Sequence, residues 1–161
     1  MLFRSINLER VPIHLDDVAA DAAAALAQPA AAAGVRVEVD PAPTAAVGDP
    51  ARLRQLVMIL VDNAIRHSPA GGEVRVAVRR DGSAALLDVE DEGRGVRPED
   101  MPHLFDRFWR ASGAPSGGTG LGLAIAKWIV DRHRGTITVS NRASGGAQFR
   151  VRLPSLDAAP A

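Results

Sequence analysis

The chain lacks cysteine altogether, which excludes disulfide bonds, thiol nucleophiles and thiolate metal sites. Neither sign of charge is in excess, because 19 basic residues balance 19 acidic ones, and no net field favours nucleic acid or an anionic membrane. A long apolar run is also missing, since the alanine-rich stretch 19–33 is interrupted by Asp21, Gln28 and Pro29 and fits neither a membrane span nor a signal peptide. These absences favour an ordinary globular domain without a nucleic-acid partner, and 161 residues suffice for one sizeable core.

Helix signals occur in three places. "HLDDVAADAAAALAQPAAAAG" predicts a helix that ends near Gly34. A second helix is predicted over 51–68, because Asp49 suits the N-cap position and a proline follows at the first helical position. The pattern from 121 to 133 predicts a third helix, which is expected to stop at Gly135.

Strand signals pair mostly with their neighbours. "EVRVAVRR" and "AALLDVED" alternate around Asp81-Gly82 and predict a hairpin, and "TITVSN" and "AQFRVRLP" predict a second pair around 144–146. "VRVEVD" predicts one further short strand. Helices alternate with locally paired strands, which indicates an α+β fold: an α/β sandwich whose mixed, mainly antiparallel sheet is covered on one face by about three helices.

Helix 51–68 carries polar residues at the edge of its apolar stripe. At about 100° per residue, Leu53, Leu56, Val57, Leu60 and Ala64 form the stripe. Asn63 and His67 lie at one edge, with Ile59 and Arg66 just beyond on the same side, so an anion or a hydrated cation could be held there. The alternative is that Asn63 is a satisfied polar residue at the edge of a core.

A carboxylate is predicted to face the apolar side of the sheet. Asp91 continues the parity of the apolar residues in "AALLDV", and a buried carboxylate needs a donor partner. Gly93 and Gly95 follow at once and would let a ligand approach the backbone. The alternative is a plain turn after a strand, where Asp and Gly are common.

The stretch "GGTGLGLAIAKWIV", residues 117–130, places four glycines directly before a helix. Such a loop offers unpaired backbone N–H groups and the positive end of the helix dipole, which suits phosphate, and Thr119 could cap the helix or touch the ligand. The alternative is a flexible hinge, and the two roles are compatible. The spacing fits neither the P-loop nor a dinucleotide-binding motif.

Four segments together resemble a known family. "VDNAIRHSP", "DVEDEGRGV", "LFDRFWR" and "GGTGLGLAIAK" resemble, in order, the asparagine, first glycine, phenylalanine and second glycine boxes of sensor histidine kinases. The resemblance extends over about 11–154, and four boxes in family order are a specific signal. It implies the catalytic domain of the GHKL superfamily, in which a mixed sheet backed by helices holds ATP under a mobile lid.

The resemblance implies roles for particular residues. Asn63 would ligate Mg²⁺ between the phosphates, and Asp91 would accept a hydrogen bond from the adenine amino group. Arg110, with Arg107 as second choice, would reach from the lid towards the terminal phosphate as the catalytic cation. The remaining residues implied to bind ATP are the phosphate-contacting Arg66 and His67, Gly93 and Gly95 beside the base, the lid anchors Phe105 and Phe108, and Gly118, Thr119, Gly120, Leu121 and Gly122 of the second glycine box.

The resemblance also implies partners that this chain does not supply. None of the four histidines lies in the His-Glu-x-x-Arg-Thr-Pro setting of a phosphoacceptor, so the substrate histidine is expected on the dimerisation and phosphoacceptor domain of a longer protein. A response regulator downstream, a homodimeric full-length protein anchored in the bacterial membrane, and a cytoplasmic, monomeric isolated domain are further expectations. Little or no turnover is expected of this protein-histidine kinase domain alone.

The expected layout follows from this assignment. We expect 1–12 to be the end of a linker plus a first strand, 13–154 the ATP-binding domain, and 155–161 a flexible tail. The lid is expected at about 96–118, and its part 111–118, poor in apolar side chains, is predicted to be disordered without nucleotide.

One departure keeps two other functions open. The family usually has a second asparagine four residues before the magnesium ligand, where hydrolytic relatives have a glutamate base, and this chain has Ile59. An alkyl group cannot activate water, which weakens the interpretation as a GHKL ATPase. The same departure favours a degenerate nucleotide-binding regulatory module as the main alternative.

Overall fold

A computed structural model of the chain describes residues 7–110 and 120–156. In chain order its helices and strands are β1 (Val11–His14), α1 (Leu15–Ala25), α2 (Ala27–Ala33), β2 (Arg36–Pro41), β3 (Ala45–Gly48), α3 (Pro50–His67), β4 (Glu73–Asp81), β5 (Ala84–Glu90), α4 (Gly122–Arg132), β6 (Thr136–Asn141) and β7 (Ala147–Pro154). A short 3-10 turn spans Met101–His103. No helix in the described ranges is long and apolar enough to cross a membrane.

The main sheet has five strands in the order β2-β4-β5-β7-β6. Only β2 and β4 are parallel, and the other neighbours are antiparallel, which confirms the predicted mixed, mainly antiparallel sheet. A separate two-stranded sheet pairs β1 with β3, from Val11 opposite Gly48 to His14 opposite Ala45. The sequence did not predict β3, because four residues are too few to show an alternation.

The first predicted helix is wrong in one respect, because it is two helices. α1 ends at Ala25 and α2 begins at Ala27, with Leu26 outside helical geometry between them. Pro29 has no N–H to donate to the carbonyl of Ala25, four residues earlier, and its ring would clash there, so one continuous helix cannot form. The described chain therefore has four α-helices where about three were expected.

The central helix α3 forms as predicted. Asp49 caps it by accepting a hydrogen bond from the backbone N–H of Arg52 at 3.1 Å. The five residues of the predicted stripe are all buried: Leu53, Leu56, Val57, Leu60 and Ala64. They pack in one core with the inner face of the sheet, and α1 and α4 lie on either side of α3.

The end of α4 differs in detail from the expectation. The left-handed residue after the helix is Arg134, with φ 59°, and not Gly135. Gly135 is needed for space instead, since a Cβ there would lie 2.8 Å from Cδ2 of Leu153 and overlap the carbonyl oxygen of Arg152.

Candidate functional site

The C-terminal part of α3 carries the first group of candidate residues. Asn63 is half-buried, as expected of the edge of the stripe, and Arg66 is exposed. Arg66 forms an ion pair with Asp62 at 3.0 Å, so this guanidinium would have to exchange partners to reach a ligand.

The ring of His67 is oriented by the same helix. Its Nδ1 donates to the backbone carbonyl of Asn63 at 2.8 Å, and because a carbonyl can only accept, Nδ1 carries the proton. This bond does not use the side-chain amide of Asn63. The other nitrogen, Nε2, can donate to an anion only when the ring carries a second proton, so a phosphate contact through Nε2 requires the imidazolium form.

Asp91 follows the central strand β5 and is buried, 3% exposed, as predicted. Its Oδ1 accepts hydrogen bonds from the backbone N–H groups of Gly93 at 2.8 Å and Ala147 at 3.2 Å. Both bonds go to one oxygen of the carboxylate, and Oδ2 is the oxygen that a ligand donor would use. The hydrogen-bond donors that the sequence analysis expected for this buried carboxylate are therefore backbone amides.

The two glycines after Asp91 face the protein itself. A Cβ at Gly93 would overlap the carbonyl oxygen of His67 and lie 3.1 Å from Oδ1 of Asp91. Gly95 has φ +79°, and a Cβ there would lie 2.6 Å from Oδ1 of Asn141. Close packing within the chain is thus sufficient to require both glycines, and their place beside a base remains a prediction.

The aromatic residues of the expected lid occupy different environments. Phe105 is half-buried and packs edge-to-face on Phe149, with ring centroids 6.3 Å apart, so it attaches this segment to the core. Phe108 is 67% exposed, has φ 64° and lies beneath the guanidinium of Arg107 at 5.9 Å. Arg110 is exposed and immediately precedes the undescribed stretch 111–119.

Part of the second glycine box can be placed. Gly118 and Thr119 lie outside the described residues, as does the predicted disorder of 111–118. The carbonyl of Gly120 accepts from the N–H of Phe108 at 2.8 Å, and a Cβ on Gly120, which has φ +78°, would lie 2.6 Å from the backbone of Phe108. Leu121 precedes the first turn of α4 as its N-cap residue, and its side chain makes no capping hydrogen bond.

These segments converge on the C-terminal half of α3. Gly93 packs on the carbonyl of His67, which places the loop after β5 against the end of the helix. Gly122, the first residue of α4, lies beside Ile59, since a Cβ at Gly122 would be 3.5 Å from Cγ2 of Ile59. The loop that follows Asp91 and the N-terminus of α4 therefore both lie against the part of α3, 59–67, that carries Asn63. Such a grouping suits a ligand with a polar base at one end and anionic groups at the other.

A metal ion at this site would need oxygen atoms of the ligand to complete its coordination. In the part of the chain that the structure describes, no group of three or more His, Asp or Glu side chains could hold a metal. Mg²⁺ typically keeps several waters and binds through one or two protein oxygens plus phosphates, so the single amide oxygen of Asn63 fits Mg²⁺ bound together with a nucleotide.

Sequence reasoning did not single out a buried histidine, His133, which lies where α4 ends and α3 begins. His133 is 2% exposed; its Nδ1 donates to the carbonyl of Ile129 at 2.8 Å, and its Nε2 accepts from the N–H of Asp49 at 3.0 Å. Burial lowers the pKa of His133 below its ordinary 6.5. The spacing of Ala126, Ile129 and His133 on one helix face could have indicated this burial.

The carboxylate next to His133 belongs to the same buried group. Oδ2 of Asp49 accepts from the N–H of Glu9 at 3.0 Å, in addition to the capping bond from Arg52. Burial raises the pKa of Asp49, but these backbone donors outweigh it and bring the pKa below its ordinary 3.8. The segment before β1 is thus attached to the start of α3.

Comparison with known proteins places the chain among ATPase domains. Residues 48–157 match the family described as "Histidine kinase-, DNA gyrase B-, and HSP90-like ATPase". The sensor-like histidine kinase SenX3 of Mycobacterium tuberculosis is 36% identical over 163 residues, covering 96% of this chain and 40% of SenX3. The sensor protein SphS of Synechococcus elongatus is 45% identical over 117 residues, covering 66% of this chain and 28% of SphS.

Solved structures agree. The mycobacterial sensor histidine kinase MprB superimposes with a TM-score of 0.81 at 30% identity, covering 91% of this chain and 97% of that one. Full-length ShkA in complex with AMPPNP superimposes with a TM-score of 0.79 at 25% identity. The superposition covers 94% of this chain and 32% of ShkA. The predicted fold and the predicted kinship are confirmed, and the chain spans less than half the length of SenX3 and SphS.

Proposed function

Because this chain belongs to the histidine kinase-, DNA gyrase B- and HSP90-like ATPase family and is a catalytic domain of the sensor histidine kinase type, we propose that it binds MgATP and delivers the terminal phosphate to a histidine on a separate domain. The observation that carries the proposal is that the loop after Asp91 packs on the carbonyl of His67 and the start of α4 lies beside Ile59, so both flank the part of α3 that carries Asn63. The AMPPNP in the ShkA complex supports a nucleotide as the ligand.

Each polar group then has a task. Oδ2 of Asp91 accepts from the adenine amino group, while Oδ1 stays bonded to two backbone amides. The side-chain oxygen of Asn63 ligates Mg²⁺, which neutralises phosphate charge when bound. The N–H groups at the start of α4 donate to phosphate oxygens, and Arg66 and the ring of His67 contact them from α3.

Transfer itself depends on positioning and charge. A nitrogen of the acceptor histidine attacks the terminal phosphorus in line, the bond to the bridging oxygen breaks, and ADP leaves. Arg110, or Arg107 in its place, stabilises the charge on the transferred group. Ile59 puts an alkyl group beside Gly122, where a base would be needed to activate water, so hydrolysis is disfavoured.

The partners are part of the proposal. The relatives are much longer than this chain, which supports an upstream dimerisation and phosphoacceptor domain in the same protein and a response regulator downstream. We propose that the full-length protein is a homodimer anchored in the bacterial membrane, with this domain in the cytoplasm.

The test combines binding and transfer. Calorimetry with a non-hydrolysable ATP analogue should show binding that Mg²⁺ strengthens, and Asn63→Ala should remove the magnesium dependence. Labelled ATP should then phosphorylate the phosphoacceptor domain encoded upstream of this chain when both are mixed, with little free phosphate released by this chain alone. Binding without transfer would favour the regulatory module, and rapid phosphate release by this chain alone would favour the ATPase.

A further inference from the structure

Asn141, the last residue of β6, forms two side-chain hydrogen bonds with the backbone of Val96, which lies 45 residues earlier in the chain. Its Oδ1 accepts from the N–H of Val96 at 2.7 Å, and its Nδ2 donates to the carbonyl of Val96 at 2.8 Å. One side-chain amide therefore satisfies both backbone groups of Val96, as a neighbouring strand would. Only a side chain with a donor and an acceptor in one plane can do this.

The neighbourhood is shaped to admit this amide. Gly95 lies so close that a Cβ would be 2.6 Å from Oδ1 of Asn141. Val96 also packs its side chain partly against the core, at the point where the expected lid begins. A residue larger than glycine at position 95 would therefore collide with the side chain of Asn141 at the end of β6.

The same hairpin end holds Asp91 by different bonds. Asp91 and Ala147 share two hydrogen bonds. The N–H of Asp91 donates to the carbonyl of Ala147 at 3.0 Å, and the N–H of Ala147 donates to Oδ1 of Asp91 at 3.2 Å. Nη1 of Arg142 donates to the carbonyl of Asp91 at 2.7 Å. The six-residue segment 91–96 is therefore attached at both of its ends to the β6–β7 turn, at Asp91 mainly through backbone and at Val96 through Asn141.

We propose that Asn141 is a positioning residue of the nucleotide site, which holds the segment from Asp91 to Val96 in the shape that accepts adenine. This inference rests on the proposed function, because it assigns that segment to the base of a nucleotide. Asn141 itself touches no ligand. Its removal frees the Val96 end while the backbone bonds of Asp91 to Ala147 remain.

The experiment is an exchange and binding comparison on this chain. Amide hydrogen exchange measured by NMR without nucleotide should be faster at Val96 in Asn141→Ala than in the unchanged chain, with the amide of Ala147 unaffected. Affinity for ADP should fall roughly tenfold, the effect of one or two lost hydrogen bonds. The ratio of affinities with and without Mg²⁺ should stay the same, since Asn63 is not disturbed.

Two further variants and a control separate positioning from general damage. Asn141→Asp keeps the acceptor for the N–H of Val96 but sets a carboxylate oxygen against its carbonyl, so an intermediate loss is expected. Gly95→Ala should likewise speed exchange at Val96, because the added methyl group would lie 2.6 Å from Oδ1 of Asn141; the positive φ of Gly95 adds strain of its own, so this variant is compared by exchange and not by affinity. Ser140→Ala, at the neighbouring exposed position of β6, should change neither exchange nor affinity.

The outcomes are distinct. Faster exchange at Val96 with unchanged ADP affinity would overturn the positioning role, and unchanged exchange at Val96 would overturn the attachment itself. A chain that binds neither ADP nor ATP before any substitution, with Val96 still protected, would overturn the proposed function and with it the role of Asn141.

Discussion

At the scale of single residues, Asp91 shows how a buried carboxylate can be held ready for a ligand. Its two donors are backbone amides, from Gly93 and Ala147, and both bond to Oδ1. These two backbone amides fix the orientation of the carboxylate through Oδ1. The carboxylate is thus positioned by the fold before any nucleotide binds.

We expect Asp91→Asn to weaken binding of adenine nucleotides selectively. The amide oxygen can keep both backbone donors, so the fold should persist, but an NH₂ group then faces the adenine amino group. The expected loss is about 1.5–3 kcal/mol, the range for a hydrogen bond to a charged group. Calorimetry with ADP and GDP measures it, as a fall in ADP affinity.

The chain offers a matched control one residue away. Glu92 is exposed, and its Oε1 accepts from the N–H of Glu73 at 2.8 Å, a bond that an amide oxygen can keep. Glu92→Gln removes the same charge from the same loop and should leave ADP affinity unchanged. Equal affinity of the unchanged chain for ADP and GDP would contradict the adenine role of Asp91.

At the scale of elements, α4 contacts α3 at both of its own ends. Gly122 begins α4 beside Ile59 on α3, and His133 just after α4 accepts from Asp49 at the start of α3. The two helices therefore run in opposite directions, with the candidate site at one end and a buried histidine at the other. Arg10 joins this far end by donating to the carbonyl of Arg132 at 2.9 Å.

The buried histidine predicts how stability depends on pH. Burial, with a contribution from Arg10, lowers the pKa of His133, while the Ile129 carbonyl and Asp49 act in the opposite direction. The unfolded chain therefore binds more protons than the native one just below pH 6.5. The free energy of unfolding should fall as pH drops from there towards the native pKa, by at most about 1.4 kcal/mol per pH unit.

His133→Gln isolates this contribution. Glutamine keeps an acceptor for the N–H of Asp49 but does not titrate, so the variant should be less stable near neutral pH and should show a flatter pH dependence. Urea unfolding between about pH 7 and pH 5 measures it, since Asp49 loses its own contribution only below its ordinary 3.8. Parallel pH curves for the two proteins would exclude His133 as the source.

At the scale of the whole molecule, the candidate site exists only in the folded chain. Asn63, Asp91 and Gly122 come from three segments that the chain separates by 28 and 31 residues (91 − 63 and 122 − 91). A ligand that needs all three binds the native state and not the unfolded one, and so shifts the folding equilibrium.

We therefore expect MgATP to raise the thermal stability of this chain. At a nucleotide concentration of about 100 times Kd the stabilisation is about 2.7 kcal/mol, which corresponds to a rise in Tm of about 5–10 °C for a chain of this size. Scanning calorimetry with a non-hydrolysable ATP analogue and Mg²⁺ checks this. Asn63→Ala should lose the part of the rise that Mg²⁺ adds, and no rise at a saturating concentration would contradict nucleotide binding.

The sequence by itself determined most of the secondary structure and the family. Period-two alternation predicted β4 to β7, and Asp49 with Pro50 marked the start of α3, because these signals act between residues a few positions apart. Four short boxes in order identified the sensor histidine kinase resemblance for the same reason. The error at Pro29 also concerned a local rule, because a proline inside a helix removes one helical hydrogen bond and was visible in the sequence.

Only the tertiary structure decided which residues support the site. Asn141 bonds to Val96 across 45 residues, and His133 bonds to Asp49 across 84 residues. No sequence pattern predicts either contact. The tertiary structure also gives a packing reason for Gly93 and Gly95, which lie against the carbonyl of His67 and the amide of Asn141, and their place beside a base stays a prediction. Local patterns reveal what a segment can form, whereas partners far apart in the chain are chosen by packing, which exists only after the sheet and its helices have assembled.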